Sequence, residues 1–281
     1  MSLLSSILLI FLNLLLGSPK ISGTVLDKDS NKPISYVSIG IINTPYGTYS
    51  AENGRFEMEL VDYSASDSLR FSCIGYYPAT FSVIEFLAMN NNGMDTIFLR
   101  KKVIELAEVV VYSNQFKTKT IGNKRSNKLV SLGFMDDLER GVIFTNKYNL
   151  YLKKVSFKLT TGGEQAPDSA IFRFNIYSIK DGVPDENILT QPIYFSITSD
   201  GFNSTNDFDL SKYNLSIKED FAATFEIIRQ YGRGRISFAG WLTGLPSVRR
   251  IGKQGSWIEA KSDNSGTKLH QSLKIEVIYE K

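Results

Sequence analysis

Cysteine and histidine are nearly missing from this sequence, with one of each in 281 residues. A single cysteine excludes an internal disulfide and any thiolate metal cluster. A single histidine excludes HExxH zinc chemistry and His-rich metal sites. Prolines number 8 and glycines 21, too few for a fibre. An excess of one charge is missing too. The 32 basic and 29 acidic residues leave +3, which gives no whole-protein field for nucleic acid or an anionic membrane. There is no Walker loop, no GxGxxG after a strand and no GxSxG elbow; the stretch from Gly255 to Glu259 fails that pattern. What is present is a globular composition, 42% hydrophobic and 12% aromatic, with length for about two domains.

Residues 3–16 form the longest apolar run, broken by Ser5, Ser6 and Asn13. It falls short of the roughly 20 residues of a spanning helix and fits the apolar region of a secretory signal peptide. An uncleaved anchor and a buried helix are the alternatives. Gly17 and Ser18 supply small residues for cleavage, which places residues 1–18 as the signal. No Lys or Arg precedes the run, and no cysteine follows it for lipoprotein processing. The expected address is therefore outside the cytoplasm: the periplasm, the outer-membrane surface or the medium.

From Ile21 the pattern has a period of two. Ile21, Gly23 and Val25 alternate with polar residues, residues 27–33 read as a turn, and residues 36–39 as a strand. Asn53 and Gly54 signal a type I′ hairpin. Residues 55–60, 69–73, 79–84 and 96–99 supply further strands, which implies an antiparallel sandwich. Asp27, Asp29 and Asn31 mimic the start of a calcium loop, but Lys32 and Ser38 occupy its glycine and glutamate positions, so the segment is read as a turn. Cys73 is read as a buried thiol.

These residues carry a family resemblance. Residues 21–25, Asp27, residues 32–34 and 36–39, Gly47, Thr48, residues 53–56 and residues 69–76 fall in one ordered string. Together they resemble the carboxypeptidase-regulatory-like domain of exported proteins in Bacteroidetes-type bacteria. The resemblance implies a transthyretin-like sandwich of about seven strands over residues 19–101. The module accompanies peptidases without being one, and nothing here supplies zinc ligands.

Residues 104–112 resemble the stretch that joins this module to the plug of TonB-dependent transporters, but their β-branched run is read first as a last sandwich strand. The roughly 170 residues beyond Tyr112 are too few for a 22-stranded barrel at about 10 residues per strand plus loops. The chain is thus expected to have no transmembrane barrel of its own. Residues 102–128 are read as a connector. Lys117, Lys119, Lys124, Arg125 and Lys128 make it basic, either as a solvated linker or as a weak contact for polyanionic glycan.

Residues 129–281 again read as strands, clearest at 152–159, 170–179, 221–228, 235–240, 256–260 and 271–279. Phe172, Phe174 and Ile176 share a face, as do Leu273, Ile275 and Val277. A jelly-roll-like sandwich is the expected architecture, which makes the whole chain all-β. Catalytic groupings are thin. A Ser-His-Asp triad would have to use His270, just before the last strand. Glycosidases need only two carboxylates, and the candidates are Asp136, Asp137 and Glu139, or Asp207 and Asp209. Asp200, Asn203, Asn206, Asp207 and Asp209 form an oxygen-rich segment, read as a polar loop with calcium as the alternative. Sugar-binding sandwiches use aromatic platforms beside Arg or Asn. The available types are Trp241, Trp257, Tyr231, Arg233, Tyr177 and Tyr194, of which Trp257, Tyr231, Arg233 and Trp241 are the candidates; core packing is the default for both tryptophans, with Trp257 the better platform. Tyr231 to Arg235 is read as a two-glycine hairpin tip.

The sequence reads as an exported, non-catalytic envelope protein that binds or scaffolds, with no cofactor and no metal. Its expected partner is an envelope protein or a glycan, and not nucleic acid. A glycan-binding accessory beside a TonB-dependent transporter and a cryptic hydrolase are the alternatives.

Overall fold

The structure is a computed structural model and describes residues 18–91, 96–102, 116–123, 125, 127–133, 137–162, 165–260 and 267–280. Residues 1–17 of the expected signal, the stretch 104–112, Lys124 and Asp136 lie outside the described residues. The chain divides into two compact units, Met1–Lys101 and Lys102–Lys281.

Unit one is a two-sheet sandwich. Strands β1 (Lys20–Asp27), β4 (Arg55–Glu59) and β7 (Thr96–Leu99) form one sheet in the order β4-β1-β7. Strands β2 (Ser38–Ile41), β3 (Gly47–Tyr49), β5 (Ser68–Ser72) and β6 (Ala79–Ser82) form the other, in the order β3-β2-β5-β6. The sandwich expected from the period-two pattern is present, with one departure: β1 and β7 run parallel. Alternation aims Ile21, Val25, Phe56, Met58, Ile39, Phe71 and Ile97 into the core.

Three local expectations are corrected. The strand expected over 79–84 stops at Ser82, and helix α1 (Val83–Asn91) follows. Its start is a capping box: Glu85 N donates to Ser82 Oγ (3.3 Å) and Ser82 N to Glu85 Oε2 (3.0 Å). Second, Asn53 and Gly54 do not make a hairpin, because β3 and β4 belong to different sheets. They turn the chain between sheets. Gly54 is required there, since its φ is +76° and a Cβ would lie 2.7 Å from the Val25 carbonyl oxygen. The type I′ geometry is found instead at Asp181 and Gly182, both at positive φ, which join two strands of unit two. Third, Cys73 is half-buried at the rim of the core, not enclosed by it.

The turn after β1 is built on Asp27. Its Oδ1 accepts from Asp29 N, Ser30 N and Ser30 Oγ, and its Oδ2 from Tyr76 Oη (2.9 Å) and Lys101 Nζ (3.3 Å). Protein donors occupy both oxygens of this carboxylate, the first member of the calcium-loop mimic.

Unit two is a larger antiparallel sandwich. One sheet contains β10 (Leu138–Phe144), β12 (Ser169–Lys180), β13 (Val183–Asn187), β14 (Ile193–Thr198), β17 (Phe221–Tyr231), β19 (Ser247–Ile251) and β20 (Trp257–Glu259). Its order is β13-β12-β17-β10-β19-β20, with β14 also on β12. The facing sheet contains β8 (Phe116–Gly122), β9 (Asn127–Gly133), β11 (Leu150–Gly162), β15 (Thr205–Asp209), β16 (Ser216–Ile217), β18 (Arg235–Trp241), β21 (His270–Gln271) and β22 (Leu273–Glu280). Phe172, Phe174, Phe225, Phe157 and Phe238 fill the space between, with ring centroids 4.4–6.4 Å apart.

The connector shrinks accordingly. β8 pairs along its whole length with β22, from Lys274 opposite Gly122 to Glu280 opposite Phe116. Its alternating Lys and Thr residues suit an edge strand, where lysine discourages further pairing. The 231–235 segment joins β17 to β18, which lie in different sheets, so it is an inter-sheet crossing and not a hairpin tip. Val183–Asn187 forms strand β13, antiparallel to β12.

Candidate functional site

On β12, the alternation that sends Phe172, Phe174 and Ile176 into the core sends Arg173, Asn175 and Tyr177 to the opposite face. Strand register then sets Arg173 opposite Glu226, Glu226 opposite Glu139, Glu139 opposite Arg250, and Arg250 opposite Trp257. A row of charged and aromatic side chains therefore crosses five adjacent strands. Arg173, Asn175, Tyr177, Glu139, Thr224 and Glu226 are all buried.

Side chains of neighbouring strands supply polar partners along this row. Asn175 Nδ2 donates to Glu139 Oε1 (2.8 Å) and to Glu226 Oε1 (2.9 Å). Thr224 Oγ1 also donates to Glu139 Oε1, in a short bond. Glu139 Oε2 accepts from Arg250 Nε (2.9 Å) and Tyr177 Oη (3.3 Å), and Arg250 Nη2 lies 2.7 Å from it. Arg173 Nε donates to Glu226 Oε1 at 2.6 Å. Asn187 Nδ2 completes the row through Asn175 Oδ1 (3.0 Å). Buried Lys253 pairs with Asp137 at 3.0 Å. Gly141 lets β10 and β17 lie close, because a Cβ there would strike the Ala223 carbonyl oxygen and Thr224.

The charges balance: Arg173, Arg250 and Lys253 against Glu139, Glu226 and Asp137. Burial alone would raise the Glu226 pKa, but Arg173, Arg250 and Lys253 outweigh it and bring it down to about 2. Burial lowers the Lys253 pKa, with Asp137 and Glu226 opposing. Burial also pushes the Tyr177 phenol far up, so it stays a neutral donor.

The four sequence candidates do not converge. Trp257 sits on edge strand β20, half-buried, edge-on to Tyr177 (5.4 Å, 70°) and beneath the Arg250 guanidinium (4.9 Å). Tyr231 ends β17, 42% exposed, with Arg229 5.5 Å from its ring. Arg233 lies on the inter-sheet crossing, exposed. Trp241 ends β18 opposite His270 in the facing sheet and is half-buried, so it is not the core residue expected. His270 Nδ1 lies 2.7 Å from the Leu245 carbonyl oxygen. Of the carboxylate candidates, Glu139 does face a second carboxylate, but that partner is Glu226, not Asp137. Asp207 and Asp209 lie on β15, with Lys154 3.9 Å from Asp207. In the oxygen-rich segment, Thr198 Oγ1 donates to Asp200, Asn206 donates to the Gly201 carbonyl and Asp209 accepts from Ser211 N, so these groups tie turns.

Sequence reasoning missed Arg173, Asn175, Glu226 and Arg250. Polar residues alternating with Phe on a strand read as a solvent face. The available signal was Glu226, a lone charge inside the apolar run 221–228.

Comparison with known proteins places the first unit. Residues 21–111 match the family model of the CarboxypepD_reg-like domain. Unit one is a CarboxypepD_reg-like domain. Within the matched residues, Asp27 ties the first turn, Gly54 the sheet crossing, and Tyr76 donates to Asp27. No curated protein matches the chain. Among solved structures, a family two carbohydrate esterase from Clostridium thermocellum in complex with cellohexaose is 12% identical, covering 52% of this chain and 34% of that one, with a TM-score of 0.20. This chain therefore spans about a third of that esterase. SGBP-B from a xyloglucan utilization locus of Bacteroides uniformis is 11% identical, covering 80% of this chain and 68% of that one, with a TM-score of 0.17. A structure of infectious bursal disease virus, Gt strain, is 11% identical, covering 93% and 64%, with a TM-score of 0.24. The CarboxypepD_reg-like assignment rests on the family model alone, and the site in unit two on its own geometry.

Proposed function

We propose that this chain is an exported, non-catalytic binding or scaffolding protein of the cell envelope, with a CarboxypepD_reg-like domain ahead of a β-sandwich that engages the partner. The CarboxypepD_reg-like match supports the binding part of this reading, and the internally paired ionic row supports the non-catalytic part. A glycosidase needs one carboxyl group free to give a proton and another facing the sugar or its water. Glu139 receives donors from four residues on two oxygens, and Glu226 is held ionised by three cations. Such a row fixes four strands in register and leaves neither group to do chemistry. The cryptic-hydrolase alternative therefore loses its best carboxylate pair. The platform at Trp257 is also weakened, because that ring is half-buried with the buried Tyr177 edge-on to it.

Export and inertness are tested together. Protein produced in a bacterium with an outer membrane should appear in the envelope or medium with its N-terminus near Ser18 to Lys20. Intact Met1 on a cytoplasmic product would sink the export claim. Hydrolysis of a peptide, ester or glycoside by the purified chain, abolished in a folded Glu139→Gln variant, would overturn the non-catalytic reading. Among the described residues no helix is long and apolar enough to cross a membrane.

A further inference from the structure

β14 and β15 are neighbours in the chain but belong to opposite sheets, β14 pairing with β12 and β15 with β11. Where they pass at the edge of the sandwich, Phe195 stacks flat on Phe208 with centroids 4.0 Å apart and planes 9° apart. These two rings line a cleft of about 300 Å³ whose other lining residues are Tyr194, Ser196, Asp209, Lys212 and Tyr213. The Tyr213 side is set by a short 3₁₀ turn, Ser211–Tyr213. That turn is closed by Tyr213 N donating to the Leu210 carbonyl (3.0 Å) and by Asn214 in the left-handed region. Lys212 Nζ stands 5.0 Å from the Tyr213 ring centroid. Ser211 lies against Asp209, its side chain and then its backbone N–H, which donates to Asp209 Oδ1 at 2.9 Å, holding that carboxyl below the usual carboxylate range.

The set combines aromatic faces with an anionic acceptor and a cationic donor at one open cleft. Sugars need both, because their C–H faces pack on aromatic rings while adjacent hydroxyls pair with carboxylate and ammonium. A phosphate or uronate would be repelled by Asp209, and a purely apolar ligand would strip both charges of water without pairing them. We propose that this cleft holds one pyranose ring of a neutral glycan, stacked on tyrosine and hydrogen-bonded by Asp209 and Lys212. The inference rests on the binding reading above and names its ligand class.

The test is the full mature chain on an array of plant, bacterial and host oligosaccharides, followed by calorimetric titration with the strongest neutral binder. Tyr213→Ala and Asp209→Asn should each weaken that binding about ten-fold or more, a hot-spot effect. Tyr213→Phe should keep it, since the ring face and not the hydroxyl is used. Thermal melts should show each variant folded at the titration temperature. If Tyr213→Ala fails to fold, the exposed Lys212→Met change serves instead, with the same loss expected. Wild-type protein that binds no sugar on the array overturns the proposal and leaves the broader reading standing if an envelope protein is the partner. Binding that survives Tyr213→Ala and Asp209→Asn, or is lost in Trp257→Ala instead, overturns the placement. Cleavage of the bound sugar would sink the non-catalytic reading while the cleft survives.

Discussion

Glu139 and Glu226 stand opposite each other on β10 and β17 and are joined by one amide, Asn175 Nδ2, which donates to both. Two carboxylates so placed repel unless cations are built in beside them, and Arg173, Arg250 and Lys253 supply that compensation. The row is therefore interdependent, and removing one member exposes the others.

Arg173→Met is expected to cost about 3–5 kcal/mol, the usual penalty for leaving one half of a buried ion pair uncompensated. The double change Arg173→Met with Glu226→Leu should recover most of that loss. Urea unfolding followed by a probe in unit two decides it; equal losses in the single and double variants would show that the pairing is not what matters.

Acid should weaken unit two in a defined window. The folded pKa of Glu226 is about 2 and lies below the ordinary carboxylate value. Its contribution is thus fully present above the unfolded pKa, near 4.3, and is lost as pH falls from there toward about 2. Glu226→Gln should flatten that part of the stability profile. A wild-type curve with no slope between those limits would remove Glu226 from the account.

Unit one has its own acid-sensitive tie. Hydrogen bonds from Ser30, first, and then Tyr76 and Lys101 pull the Asp27 pKa well below the ordinary range, against burial. The sign is the same: this support exists above the unfolded pKa and fades at lower pH. Tyr76→Phe should lower the melting temperature and move the acid transition of unit one to higher pH. Unchanged acid behaviour would mean the tyrosine donor is dispensable.

The tryptophans should behave alike in stability. Both are half-buried, so each Ala substitution should cost less than the roughly 3–5 kcal/mol of a fully buried aromatic. Trp257→Ala should remove the ring beneath the Arg250 guanidinium while leaving that side chain paired with Glu139. Thermal melts of both variants check this, and a loss in either as large as that of a fully buried aromatic would overturn it.

Lys117 and Lys119 should resist trypsin while the fold holds, because β8 is hydrogen-bonded to β22. Early cleavage at either residue in native protein would show that this pairing opens readily.

The sequence disclosed most where one face of a strand is apolar. Phe172, Phe174 and Ile176, and Leu273, Ile275 and Val277, were legible as core, and all six are fully buried. The first sandwich was legible because its turns demand particular residues, such as Gly54. What stayed hidden depends on pairing across the chain. Asn53 and Gly54 carry the same local signal whether the flanking strands pair or part. The lysines of β8 look like a linker until the last strand lies beside them. The ionic row is invisible in any one strand, because Arg173, Glu226, Glu139 and Arg250 meet only through the order β12-β17-β10-β19. The cleft residues Asp209 and Lys212 likewise gain meaning only once β14 and β15 are known to pass between sheets.

The placement of β8 beside β22 also imposes a timetable. As the chain leaves the ribosome, residues 116–122 appear long before residues 273–280, the only strand with which β8 pairs among the described residues. The early strand must therefore wait unpaired until almost the whole sandwich has been made. That delay suits a segment whose lysines keep it soluble and unattractive to other strands. It also means that stalled or shortened chains ending before residue 273 would leave both β8 and one edge of β11 open, which marks them as the species most exposed to misassembly.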